Sequence, residues 1–218
     1  NLSDDVEIKF YFKDGDKIKA GDTIAELKGS ASAILKGERT ALNFAQRMSG
    51  IATETRKYQD AIGEGLKARI SDTRKTTPNF RVFEKYAVYV GGACIHRFNL
   101  ADCAMIKDNH IKLAGSLTKA VEKIRQNISH THKIEVECDT LDQVKEAVAC
   151  GADIIMLDNM SCETMKKAVE IIDGKAITEA SGNVNLSTVH AIAEVGVDII
   201  SSSAIVAKAP TLDLALDM

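Results

Sequence analysis

From Gly65 onward, short apolar runs alternate with helical stretches, and six of the apolar runs end in polar residues. Strands are predicted over 68–71, 103–106, 133–138, 153–157, 176–179 and 198–201. Helices are predicted over 81–90, 117–127, 141–150, 162–172 and 186–195. The later strands are almost wholly apolar, as strands covered on both faces are, and Ile154-Ile155-Met156-Leu157 is the clearest case. Gly151, Gly174 and Gly196 follow helices at the position where the chain turns left-handed. Such regular alternation with short connections restricts the chain to a parallel barrel or an open doubly wound sheet. Six repeats fall short of the eight of the standard barrel. The expectation is therefore an α/β protein: an incomplete α/β barrel over 66–218, with a small N-terminal α/β domain outside it.

The first residues differ in pattern. Val6-Glu7-Ile8-Lys9-Phe10 alternates as a half-exposed strand does, and 23–28 reads as a second short strand. Asp14-Gly15-Asp16 and Ala20-Gly21-Asp22 are turn signals between them. These turns resemble those of lipoyl or biotinyl carriers, but the segment is too short for a carrier and has no attachment hairpin. Residues 1–35 are assigned to the remainder of the N-terminal domain, and its start at Asn1-Leu2-Ser3 reads as a fragment. Residues 36–65 are assigned to connecting helices, since apolar positions recur at three- and four-residue steps, with a kink or break expected at Gly50.

Composition excludes several classes. A net charge of -3 gives no general affinity for nucleic acid, so any cationic site must be local. No apolar run reaches the length of a membrane span. The five cysteines are odd in number and show no C-x-x-C spacing, which speaks against zinc or redox chemistry and suggests a cytoplasmic setting.

Ligands of parallel α/β folds gather at the carboxyl ends of the strands. There the chain carries Asp72-Thr73-Arg74-Lys75, Lys107-Asp108-Asn109-His110, Glu137, Asp158-Asn159, Ser181-Gly182 and Ser201-Ser202-Ser203. Arg74 offers a planar fork for a carboxylate and Lys75 a compact charge for phosphate. Thr77 and Pro78 suit the cap and first turn of a helix. His96-Arg97 adds a second basic pair after a glycine turn. Lys107 suits either a phosphate contact or a Schiff-base nucleophile, which keeps an aldolase-like lyase in view. Glu135 and Glu137 share one strand face, pointing either into the barrel or out to the helices. Glu137 and Asp158 suit magnesium or sugar hydroxyls, with a salt bridge and a helix cap as the plain alternatives. Ser181-Gly182 and the serine run offer backbone N–H groups to a phosphate. The whole set suits a small, strongly anionic substrate held with a divalent cation.

Taken in order, certain phrases resemble those of the quinolinate phosphoribosyltransferases. They are Glu38-Arg39-Thr40-Ala41-Leu42-Asn43, Asp72-Thr73-Arg74-Lys75-Thr76, Lys85-Tyr86-Ala87-Val88, His96-Arg97, Ile106-Lys107-Asp108-Asn109-His110, Leu157-Asp158-Asn159 and Ala180-Ser181-Gly182. The resemblance implies a homodimer that joins quinolinate to phosphoribosyl pyrophosphate with Mg2+, giving nicotinate mononucleotide, pyrophosphate and carbon dioxide. It implies that Arg39, Arg74, His96, Arg97 and Lys107 surround the quinolinate carboxylates, with Arg39 acting across the subunit interface. Lys75 and Lys107 would meet phosphates. Glu137 and Asp158 would face ribose and metal, and Ser181, Gly182 and Ser203 would lie at the 5′-phosphate. Lys75, Lys107, Glu137 and Asp158 are the catalytic candidates. The family usually has glycine where Asn183 and Ser203 stand, which leaves two readings for Ser203, a Cβ that crowds the backbone–phosphate approach or a hydroxyl that compensates for it, and the family's opening residues are missing here. A relative of the same fold associated with molybdate transport is the alternative, against which the Lys107–His110 phrase argues.

Overall fold

The computed structural model describes residues 3–217, so Asn1, Leu2 and Met218 of the expected first and last segments lie outside the described residues. Strands β1 (Glu7–Phe10) and β2 (Ala25–Lys28) form an antiparallel two-stranded ribbon. The long helix α1 (Ala31–Ile62) follows, capped by the Ser30 hydroxyl, which accepts from the Ala33 N–H. Then come β3 (Arg69–Ser71), α2 (Arg81–Val90), β4 (Ala104–Ile106), α3 (Asp108–Ala114) and α4 (Leu117–Arg125). The chain continues with β5 (Ile134–Cys138), α5 (Leu141–Ala149), β6 (Ile154–Asp158), α6 (Cys162–Ile172), β7 (Ile177–Ser181), α7 (Val189–Glu194), β8 (Ile199–Ser201) and α8 (Ala204–Ala207).

Strands β3 to β8 form one parallel sheet in the order β3-β8-β7-β6-β5-β4. Sequential neighbours wrap around, and β3 closes onto β8, so the sheet is a barrel open at one seam between β3 and β4. Cys94 adds a single parallel bridge to Ser71 at that seam. Alternate residues of each strand face the helices, and this face supplies the core: Ile134, Val136, Cys138, Ile155, Leu157 and Ile200 are fully buried. The opposite face points into the barrel. Glu135 and Glu137 both lie on it, which resolves their orientation.

Two matching clamps fix the strand starts. In Gly151-Ala152-Asp153 and Gly196-Val197-Asp198 the carboxylate accepts the backbone N–H of the neighbouring strand, Ile134 at 2.8 Å and Thr178 at 2.9 Å. A cavity of about 380 Å³ at this end is lined by the same two carboxylates, which are engaged by these N–H groups and by Arg125 and Lys67.

Three expectations need correction. Helix α1 runs unbroken through Gly50. Here glycine serves packing: a Cβ at this position would sit 1.8 Å from the Pro210 carbonyl oxygen. Second, α2 spans the expected 81–90, but Thr77 and Pro78 are not its cap and first turn. Asn79 takes a left-handed φ of 61°, which no helix continues, and Thr77 is held by Glu84 instead of capping. Third, Asp158 caps no helix; Ser161 caps α6. Replacing glycine by alanine inside a helix normally stabilises by about 1 kcal/mol. Gly50→Ala should instead lower the free energy of unfolding by roughly 1–3 kcal/mol, the cost of overpacking, as measured by urea denaturation.

Candidate active site

The carboxyl ends of the strands enclose a cavity of about 710 Å³. Its wall includes Arg74, Lys75, His96, Arg97 and Lys107 on the basic side, Glu137 and Asp158 on the acidic side, and Ser181, Gly182 and Ser203 at the third. The expected set therefore converges on one space, except for Arg39. That residue lies on α1 with its side chain 71% exposed, and it lines no part of this cavity.

The main chain bends sharply to deliver these groups. Asp72, at the end of β3, is fully buried, and its carboxylate accepts from the His96 N–H (2.8 Å) and from Lys85 Nζ (2.7 Å). Lys85, on the inner face of α2, also donates to the His96 carbonyl at 2.9 Å. The ion pair thus clamps His96 by both of its backbone groups. Burial pushes the Asp72 pKa up and the Lys85 pKa down, and their mutual hydrogen bond opposes both shifts. Lys85 precedes Val88 by three residues and so shares its buried face, a signal that sequence reading passed over.

His96 Nε2 points at two more buried acids, Glu135 at 3.5 Å and Glu179 at 3.4 Å. Burial lowers the His96 pKa, but these carboxylates raise it further, to about 10. Burial also pushes Glu135 up. Against this pull, the Arg97 N–H donates to His96 Nδ1 at 2.8 Å, which requires that atom to be bare. The backbone contact prevails, since two N–H groups cannot face each other at that distance. One ring proton therefore sits on Nε2, between the carboxylates. The three side chains bring ligand atoms within 4.8 Å of one another, but that proton holds the place a metal would take.

Arg97 continues from this clamp across the seam, donating to the Cys103 carbonyl (2.8 Å) and reaching Met105 Sδ (3.3 Å). Lys107 forms an ion pair with Glu137 on the adjacent strand. An ammonium so held is a charge, not the free amine that a Schiff base needs. His110, expected to join the polar strand end, turns its Nδ1 back to accept the Lys107 N–H at 2.9 Å, at the start of α3. Asp108 pairs outward with Lys112. Of that phrase, Lys107 alone lines the cavity.

At the third wall, Gly182 and Asn183 take left-handed φ angles of 89° and 55°, so asparagine occupies the conformation in which glycine was expected. Ser203 has an ordinary helical φ of -75°, which any residue adopts, so its Cβ imposes no backbone strain.

Comparison with known proteins agrees over the whole chain. The family model described as Quinolinate phosphoribosyl transferase, C-terminal domain, matches residues 51–217, and the corresponding N-terminal domain matches residues 1–49. A Synechocystis protein named "Probable nicotinate-nucleotide pyrophosphorylase (carboxylating)" is 47% identical over 220 residues, covering 100% of this chain and 74% of that protein. A Bacillus subtilis protein of the same name is 44% identical, covering 100% and 75%. The solved structure of the nicotinate-nucleotide pyrophosphorylase from Francisella tularensis superposes with a TM-score of 0.95 at 43% identity, covering 98% of this chain and 76% of that one. With both domain models matched and the strand-end residues gathered in one cavity, the chain belongs to the quinolinate phosphoribosyl transferase family.

Proposed function

We propose that this cavity joins quinolinate to 5-phosphoribosyl 1-pyrophosphate, giving nicotinate mononucleotide, pyrophosphate and carbon dioxide in NAD biosynthesis. The observation that carries this reading is the division of one cavity into a basic wall, an acidic pair and the small residues of the Ser181-Gly182 turn. Quinolinate has two carboxylates, and its partner carries a phosphate and a pyrophosphate, so fixed cations must meet most of that charge.

Arg74, Arg97 and Lys107 hold the carboxylates, with His96 behind them. Lys75 and Lys107 meet the phosphates, and Ser181, Gly182 and Ser203 take the 5′-phosphate. The C1′–oxygen bond breaks with its electron pair leaving on pyrophosphate, and Glu137 stabilises the oxocarbenium-like ribose. The pyridine nitrogen bonds to C1′. The resulting cationic ring accepts the electron pair released when the adjacent carboxylate leaves as carbon dioxide, and that carbon then takes a proton. No covalent bond to Lys107 is needed.

Glu137 and Asp158 end neighbouring strands and face the same cavity. Their oxygens suit Mg2+, which is commonly held by one or two carboxylates plus substrate phosphates. Lys107 engages Glu137 Oε2 and Asn159 engages Asp158 Oδ2, which leaves one oxygen on each for the ion. When bound, magnesium supplies charge neutralisation at the departing pyrophosphate.

The working form is a homodimer in which the partner subunit's Arg39 completes the basic wall. The exposure of Arg39, together with that of Phe10, Phe83, Tyr86 and Tyr89, supports this arrangement. The five free cysteines support a cytoplasmic setting, and no helix among the described residues is long and apolar enough to cross a membrane.

The test is product formation from both substrates with magnesium, followed by chelation. Turnover that stops with chelator and returns with magnesium is expected. A folded protein that makes no nicotinate mononucleotide under these conditions would overturn the assignment.

A further inference from the structure

The third wall holds an arrangement that the reaction scheme does not use. Asn159 follows Asp158 at the end of β6 and takes a left-handed φ of 52°. Its backbone N–H donates to the Ser181 carbonyl at 2.9 Å. Its side chain lies so close over Gly182 that a Cβ there would stand 2.2 Å from Asn159 Oδ1. Asn159 Nδ2 donates to Asp158 Oδ2 at 2.6 Å, and Asn183 Nδ2 donates to Asn159 Oδ1 at 3.1 Å.

The direction of this chain of contacts is fixed. A carboxylate only accepts, so Asn159 must turn its Nδ2 toward Asp158. Its Oδ1 then faces Asn183, which must donate. Reversing either amide sets acceptor against acceptor or donor against donor. The phosphate turn is thereby tied to the acidic pair through two side-chain amides. Asn183 is the residue at which this chain departs from the glycine expected there, and glycine has no side chain to donate.

We propose that Asn183 and Asn159 are positioning residues that orient Asp158 from the 5′-phosphate turn. With Oδ2 held by Asn159, Oδ1 is the oxygen turned to the ribose and cation side of the cavity. Closure of the turn on a phosphate is then coupled to the orientation of that carboxylate. This inference rests on the proposed transferase reading and concerns only how one substrate is held.

The test is calorimetric titration of the full chain with phosphoribosyl pyrophosphate, with and without magnesium, and separately with quinolinate. The variants are Asn183→Gly, Asn159→Gly and the double variant; glycine keeps both left-handed turns free of strain. Asn159→Gly should weaken phosphoribosyl pyrophosphate binding in magnesium by about tenfold, the worth of one hydrogen bond to a carboxylate, and Asn183→Gly by about fivefold, the worth of one between neutral amides. The double variant should be no weaker than the Asn159 variant, because the two residues act in series. Quinolinate affinity and the melting temperature should not change. Asn183→Asp, nearly isosteric but without the donor, should weaken binding at least as much and guards against a glycine that loosens the loop. Unchanged binding in the single variants, additive losses in the double, or equal losses for quinolinate would each overturn the relay. Failure of the unaltered chain to bind phosphoribosyl pyrophosphate would instead overturn the transferase reading.

Discussion

Arg74→Ala should lower kcat/KM for quinolinate by roughly a hundredfold while leaving the fold intact. Within the protein, Arg74 contributes its carbonyl, which accepts from Thr76 and Arg81. Its guanidinium has no partner among the described residues, although it lines the cavity. Among the described residues, truncation therefore removes no internal hydrogen bond or ion pair. What it removes is a planar fork for a substrate carboxylate, worth about 3 kcal/mol for two charge-assisted hydrogen bonds after solvent exchange. Each 1.36 kcal/mol is about tenfold in rate. Steady-state kinetics with quinolinate varied, beside a melting curve, checks both halves. Arg74→Lys should recover little, since an ammonium keeps the charge but not the fork. An Arg74→Ala variant with unchanged kinetics would place the quinolinate carboxylates elsewhere.

Lys85→Met should be the most destabilising of the changes considered. It leaves the Asp72 carboxylate buried without its charge partner, and losing one member of a buried pair costs about 3–5 kcal/mol. For a chain of this size that is a fall in melting temperature of roughly 10 °C. The double variant Lys85→Met with Asp72→Asn should recover part of the loss, because a neutral amide needs no counter-charge. It also retains an oxygen to accept the His96 N–H. A single-variant loss below about 1 kcal/mol would show that the pair is not desolvated as described. The substitution should also raise KM for quinolinate more than for phosphoribosyl pyrophosphate, because the clamp holds the His96–Arg97 side of the cavity and not the phosphate turn.

The strands were legible because period-2 burial and apolar runs are local signals. All six predicted barrel strands are present, and the polar residue closing each one is what brought Arg74, Lys107, Glu137 and Asp158 into view. Short helices were not legible. Helix α3 was hidden in a phrase read as pure site chemistry, because His110 holds the Lys107 backbone instead of facing ligand. Four-residue α8 carries too little periodicity to register. Gly50 was misread because its reason lies some 160 residues away, in the carbonyl of Pro210. The inner cluster was legible only in part: Asp72 and Glu135 stood at strand positions and Lys85 on the buried face of α2, but their pairing with His96 and Glu179 is tertiary, which spacing along the chain does not encode.

The seam between β3 and β4 gives the barrel a mechanical character of its own. Every other strand junction is a ladder of backbone hydrogen bonds, whereas here one bridge at Cys94 and the guanidinium of Arg97 span the gap. A closed ring of ladders is stiff all the way round. A ring fastened at one place by a side chain concentrates its compliance there, so the wall that must admit a dicarboxylate can widen without tearing any ladder. In the proposed arrangement the clasp and the ligand contact are the same residue, so the group that spans the seam is also one that the substrate would engage.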